Sequence, residues 1–110
     1  MNFKKTIKKN VYGVKITFQD KGKEIGRAFL YVLQNDLHKE PFGFLEDVFV
    51  HEKYRGLGLG SKLVKAAAAE AKKRKCYKLI ATSRNAKPEL KKFYGKFGLK
   101  VWGVEFRKNF

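Results

Sequence analysis

The sequence is short of several residue types, and each shortage excludes something. It has one cysteine, Cys76, so no internal disulfide can form and a reducing compartment is expected. The plain role of that thiol is a small apolar side chain ahead of a strand. There are two histidines, His38 and His51, and with Cys76 they show no metal-ligand spacing. No Ser/His/Asp arrangement can be argued from residue order. Nowhere do 18 apolar residues run together, so no membrane-crossing helix is expected. The first nine residues carry charge with no apolar stretch behind them, unlike a signal peptide. The expected location is therefore cytoplasmic. Acidic residues are also scarce, ten Asp/Glu against 26 Lys/Arg, for a net charge of +16. The excess is uneven. Residues 1–50 hold nine Lys/Arg and six Asp/Glu, and residues 51–110 hold seventeen and four. The second half is an electropositive surface that attracts polyanions.

The 110 residues suggest one domain, 1–110, with ten Phe, five Tyr and one Trp to fill its core. Tyr12, Val14, Ile16 and Phe18 alternate with Gly13, Lys15 and Thr17, which predicts a half-buried strand. The turn residues Asp20 to Lys23 lead into a second strand, Ile25 to Leu33, apolar on both faces and so internal to a sheet. The two form a hairpin. Asn35 to Pro41 reads as polar connection, where His38 is a solvated loop residue. Phe44 to Val50 is a third strand. Ser61 to about Lys75 is a helix with Leu63, Val64, Ala67, Ala68 and Ala71 on one face. Its cationic last turn, Lys72 to Lys75, suits the negative end of the helix dipole. Tyr77 to Ala81 is a fourth strand, and strand–helix–strand predicts a parallel pair. Pro88 starts a second helix that runs to about Phe97 and stops at Gly98. Val101 to Phe106 alternates Trp102, Val104 and Phe106 as a fifth strand.

The chemistry centres on Glu46 to Lys62. An apolar strand end, Val48 to Val50, is followed by glycines at alternate positions, Gly56, Gly58 and Gly60, and then by a helix start at Ser61. Strand, glycine loop and helix start make an anion site, because the first helical amides lack internal partners and sit at the positive end of the dipole. The spacing is neither Gly-x-Gly-x-x-Gly nor Gly-x-x-x-x-Gly-Lys-Ser/Thr, so dinucleotide and P-loop readings fail. A glycine-rich turn without a ligand is the plain alternative.

The string Arg55-x-x-Gly58-x-Gly60 after a strand resembles the acyl-CoA pyrophosphate loop of the GNAT N-acetyltransferase superfamily. Leu-Glu-Asp-Val-Phe-Val followed by Tyr-Arg-Gly-x-Gly-x-Gly-Ser is similar to the diamine and glucosamine-6-phosphate acetyltransferase branches. Cys-Tyr-Lys-Leu-Ile and Phe-Tyr-Gly-Lys-Phe-Gly, between residues 76 and 98, echo the same branches. The resemblance covers about residues 11–106. It implies a mixed, centrally twisted α/β sheet flanked by helices, with acetyl-CoA as co-substrate and a small-molecule or N-terminal amine as acceptor. Val48, Phe49, Val50, Arg55, Gly56, Leu57, Gly58, Leu59, Gly60 and Ser61 would then bind the cofactor. The backbones of Val48 and Val50 would pair with the pantetheine arm, and the Val48 amide would polarise the thioester carbonyl. Family members usually carry a strand and two helices ahead of the first hairpin, which wall the acceptor site. Here about ten residues precede Val11, so a second subunit in a homodimer is expected to supply the missing wall.

By the same resemblance Glu46 is the base for the attacking amine and Tyr94 the acid for the departing thiolate. Their plain alternatives are a solvated carboxylate and a ring that seats the second helix on the sheet. Asp47 is the runner-up acid–base residue, and it points to the opposite face if the strand is regular. Lys87, Lys91, Lys92 and Lys96 are candidates for the ribose phosphate, or else a solvated helix face. Two competing functions stay open at this point. One is a nucleic-acid binder, drawn from the charge and the fifteen per cent aromatics but lacking a recognised module. The other is a CoA-binding remnant without catalysis.

Overall fold

A computed structural model describes residues 1–83 and 88–110. Strand β1, Tyr12–Asp20, turns through Lys21 and Gly22 into β2, Lys23–Leu33, and the two pair antiparallel. Strand β3, Phe42–Val50, pairs antiparallel with β2 on its other side. Helix α1, Leu59–Lys73, crosses over to β4, Leu79–Ala81, which pairs parallel with β3. The sheet order is β1-β2-β3-β4. Helix α2, Pro88–Gly95, follows.

Strand alternation decides which side is core. Ala28, Leu30 and Val32 point from β2 to one face, where Leu63, Val64, Ala67 and Ala71 of α1 meet them, and all are buried. Burying each of the larger aliphatic chains contributes about 1.5–3 kcal/mol. The fit is close at Gly43, where an added Cβ would lie 3.0 Å from both Leu30 Cδ1 and Leu79 Cδ1. Phe93, Tyr94 and Phe97 of α2 and the turn after it pack on the same cluster. The opposite face of β2 carries Arg27, Phe29 and Tyr31, which stay partly exposed.

Three expectations change. Helix α1 begins at Leu59, with Gly58 as its N-cap, two residues before the expected start at Ser61, so Gly60 lies inside the first turn rather than ahead of it. Strand β4, Leu79–Ala81, is shorter than Tyr77 to Ala81, although the Tyr77 amide still donates to the Pro41 carbonyl just ahead of β3. The fifth strand does not form. Residues 99–110 hold no helix or strand, and Trp102, Val104 and Phe106 are 95%, 79% and 92% exposed. An alternating pattern makes a strand only where a neighbouring strand accepts its hydrogen bonds, and none of the described residues offers that pairing.

Candidate active site

Strands β3 and β4 are paired only from Gly43 with Leu79 to Leu45 with Ala81. Beyond that point β3 continues to Val50, and among the described residues no strand pairs with its outer edge. A bulge bends it there. Arg27 faces Phe49 and Phe29 faces Glu46, so Asp47 and Val48 together oppose Ala28. Asp47 takes the extra turn at φ 50°, in the left-handed region, and Arg27 Nε donates to its Oδ2 at 2.8 Å. That hydrogen bond raises the Arg27 pKa. The bulge overturns the regular-strand expectation for Asp47, since its carboxylate meets Arg27 on the face that Glu46 also occupies. Val48 and Val50 turn inward onto the core.

The loop after β3 is anchored at several points. The His51 amide donates to the Ile25 carbonyl at 2.7 Å, and a 3-10 turn spans Glu52–Tyr54. Tyr54 donates its hydroxyl to Asp20 Oδ2 at 2.8 Å, tying the loop to the β1–β2 turn, and this bond raises the Tyr54 pKa. Arg55 Nε donates to the Val50 carbonyl at 2.9 Å while its guanidinium lies 5.5 Å from the Phe49 ring centre. Gly56 and Gly58 follow at φ 84° and 79°, a conformation that strains any residue with a Cβ. The first helical bond runs from the Lys62 amide to the Gly58 carbonyl at 3.2 Å. The amides of Leu59, Gly60 and Ser61 are the ones a helix start leaves without intrahelical acceptors. Gly60 is different from the other two glycines. A Cβ there would meet only the Phe93 ring edge at 4.0 Å, so space inside the protein does not require glycine. Its bareness keeps the helix end open to an anion.

These parts enclose a cleft of about 410 Å³. Val48 and Val50 form one wall, and Gly56 and Gly58 to Ser61 form the end. Leu90, Phe93 and Tyr94 of α2 form the other wall. Tyr94 is half-buried, with its ring edge-on to Phe93 at 5.2 Å between centres. Burial first, then the negative charge of Glu46, push its hydroxyl pKa above the ordinary tyrosine value. Glu46 and Tyr94 come from different elements and are brought within electrostatic reach. Glu46 itself is not among the residues that line this cleft; it borders a separate open hollow together with Thr82, Glu105, Phe106 and Arg107.

Of the residues singled out from sequence, Val48, Val50, Arg55, Gly56, Gly58, Leu59, Gly60, Ser61 and Tyr94 line the cleft. The Phe49 side chain lies elsewhere, its ring centre 4.7 Å from the Arg27 guanidinium and 5.5 Å from that of Arg55. Leu57 is 66% exposed at the loop tip. Lys91, Lys92 and Lys96 are exposed and outside the lining, and Lys87 lies outside the described residues. Sequence reasoning did not place Tyr54, Leu90 or Phe93 in the cleft. Leu90 stands three and four residues before Phe93 and Tyr94, the spacing of one helix face, which was the available signal.

A sequence model of the Acetyltransferase (GNAT) family matches residues 6–99. The chain belongs to that family. It is 45% identical over 56 residues to glucosamine 6-phosphate N-acetyltransferase 1 of Oryza sativa subsp. japonica, a stretch that covers 51% of this chain and 32% of that protein. The chain thus spans about a third of the length of that relative. Among solved structures, glucosamine-6-phosphate N-acetyltransferase from Arabidopsis thaliana superposes with a TM-score of 0.78 at 28% identity. That match covers 89% of this chain and 67% of the other. An acetyltransferase of Trypanosoma brucei superposes with a TM-score of 0.80 at 29% identity, over 89% and 69% of the two chains.

Proposed function

We propose that the chain transfers an acetyl group from acetyl-CoA to a primary amine by direct attack. One observation carries this reading. The edge of β3 that is unpaired among the described residues and the first amides of α1 face Tyr94 across one cleft. A free strand edge can hydrogen-bond an extended amide-bearing arm, and the helix start with Arg55 can hold a pyrophosphate. The bare surface at Gly60 fits a group that must come close to the backbone. Acetyl-CoA supplies the activated thioester and the thiol leaving group. Glu46 takes the proton from the attacking nitrogen, directly or through water. The nitrogen–carbon bond forms, the carbon–sulfur bond breaks, and Tyr94 gives its hydroxyl proton to the departing sulfur. The raised pKa of Tyr94 keeps that proton available at neutral pH.

The acceptor reading rests on charge and kinship. A net charge of +16 repels polyamines and basic tails and suits an anionic or neutral amine. The curated relatives are named for glucosamine 6-phosphate, an amine of that kind. Release of free thiol from acetyl-CoA, measured against a panel of amines, tests the reaction. Tyr94→Phe keeps the ring and should keep CoA affinity, while kcat falls by about 10²- to 10⁴-fold. Full activity in Tyr94→Phe would return Tyr94 to a purely structural role. Absence of thiol release with every amine would leave a CoA-binding protein.

A further inference from the structure

The register of β3 decides what the cleft is made of. Leu45 is buried, and Glu46 stands on the outer face opposite Phe29. In an unbroken strand the faces alternate, so Asp47 and Phe49 would turn inward and Val48 and Val50 outward. The structure has the reverse. The extra residue at Asp47 resets the alternation, so Val48 and Val50 line the cleft while Phe49 stays on the outer face opposite Arg27. Apolar burial alone does not choose between the two registers, since each turns apolar side chains inward, Phe49 in one and the valines in the other. Asp47 does choose. In the unbroken register its carboxylate would turn toward a core whose described buried residues include no polar side chain. On the outer face Arg27 is placed to receive it. Arg27 Nε donates to Asp47 Oδ2 at 2.8 Å and Nη2 donates to Oδ1 at 3.4 Å. The same guanidinium lies 4.7 Å from the Phe49 ring centre, so one side chain of β2 holds both outward residues that flank Val48. Glu24 stands between Arg27 Nη1 at 3.7 Å and Lys15 Nζ at 2.6 Å, which extends the row of charges to β1. Exposed ion pairs usually contribute little, but this one is two-pronged and grips a residue held at φ 50°.

We infer that Arg27 is a positioning residue for the cleft: from the opposite face of the sheet it holds the Asp47 bulge, and the bulge turns Val48 and Val50 toward the ligand. Arg27 itself lies outside the cleft lining, so it acts through β3 and not by contact. This inference rests on the acetyl-CoA reading of the cleft above.

Glycine makes the test discriminating. At position 47 it takes a left-handed φ without strain and brings no carboxylate, so a bulge built on it needs no clamp. Arg27→Gln should lower the population of the bulged register, and CoA affinity measured by calorimetry should fall about tenfold in proportion. The double variant Arg27→Gln/Asp47→Gly should regain the parent affinity to within about threefold. Arg27→Lys, with a point charge in place of a fork, should fall between the parent and Arg27→Gln. Unaltered affinity in Arg27→Gln overturns the inference. So does a loss that glycine fails to restore, because Arg27 or Asp47 would then act through its own charge. A further readout needs no ligand. Nuclear Overhauser contacts should place the Val48 and Val50 methyl groups against the buried cluster in the parent chain. Arg27→Gln should weaken those contacts, and the double variant should bring them back. If the parent chain binds no CoA, the acetyl-CoA reading fails and these contacts decide alone. Their loss and return support the clamp, and contacts indifferent to Arg27 overturn it. Should Arg27→Gln not fold, the double variant carries the test. A folded double variant with the parent contacts supports the clamp, and an unfolded one overturns it.

Discussion

Tyr94 is the residue on which geometry and proton chemistry meet. Its pKa is raised by burial and then by the Glu46 charge, so the neutral hydroxyl is the favoured form. The sign has two consequences. The stabilisation linked to this group is complete below the ordinary tyrosine value of about 10 and is lost as pH rises through the higher folded value. The acid proposed for thiolate departure persists over the same range. Glu46→Gln should therefore change the pH–rate profile at both ends. At low pH it removes the base while the amine is mostly protonated, and raising the pH partly rescues the rate. At high pH it removes the charge that raises Tyr94, so the alkaline limb moves to lower pH. Profiles of the two proteins measured with one accepted amine decide this. Two curves that differ by a constant factor would reject both roles.

At the scale of elements, the glycine loop and α1 act as one unit. Gly58 is required by its φ of 79°, whereas Gly60 is required by nothing inside the protein. The two positions therefore separate folding from binding. Gly60→Ala should stabilise the chain by about 0.5–1 kcal/mol, because alanine favours helix and has no steric conflict there. The same methyl group sits at the cleft proposed for the cofactor, so the rise in melting temperature caused by CoA should shrink. Thermal denaturation with and without CoA reads both effects. A variant more stable than the parent with a parent-sized CoA shift would count against phosphate binding at this helix end. The β3 bulge has a comparable division. Asp47 takes a left-handed conformation that a non-glycine residue adopts at a cost, and the 2.8 Å hydrogen bond from Arg27 offsets it. The result is an irregular stretch of β3 just beyond its last pair with β4.

Over the whole molecule, charge governs how ligands approach. Seventeen of the 26 Lys/Arg fall in residues 51–110, the half that contains the loop, both helices and the C-terminal segment. Such a field favours the approach of polyanions, the proposed co-substrate among them, and salt screens it over about 10 Å at 0.1 M. The KM for acetyl-CoA should rise several-fold between about 0.05 and 0.5 M monovalent salt, with kcat much less affected. A KM indifferent to salt would confine recognition to the short-range contacts of the loop. Extents of 56 × 33 × 31 Å reflect a small sheet-and-helix body with extended terminal segments.

Much of this architecture is written locally. Alternation at Tyr12, Val14, Ile16 and Phe18 marks β1, and the face Leu63, Val64, Ala67 and Ala71 marks α1, because periodicity reports which side chains leave water. The glycine spacing marks the anion loop, since φ above zero and bare backbone are local demands. The sequence could not tell where pairing would stop. The alternation of Trp102, Val104 and Phe106 is as regular as that of β1, yet it makes no strand, because hydrogen-bond partners are a property of neighbours in space. The bulge at Asp47 likewise arises from register against Ala28 and Arg27, the latter twenty residues away. Tertiary structure alone put Tyr94 within reach of the Glu46 charge. That distance depends on how two helices and a split sheet fit around one core, which no local stretch encodes.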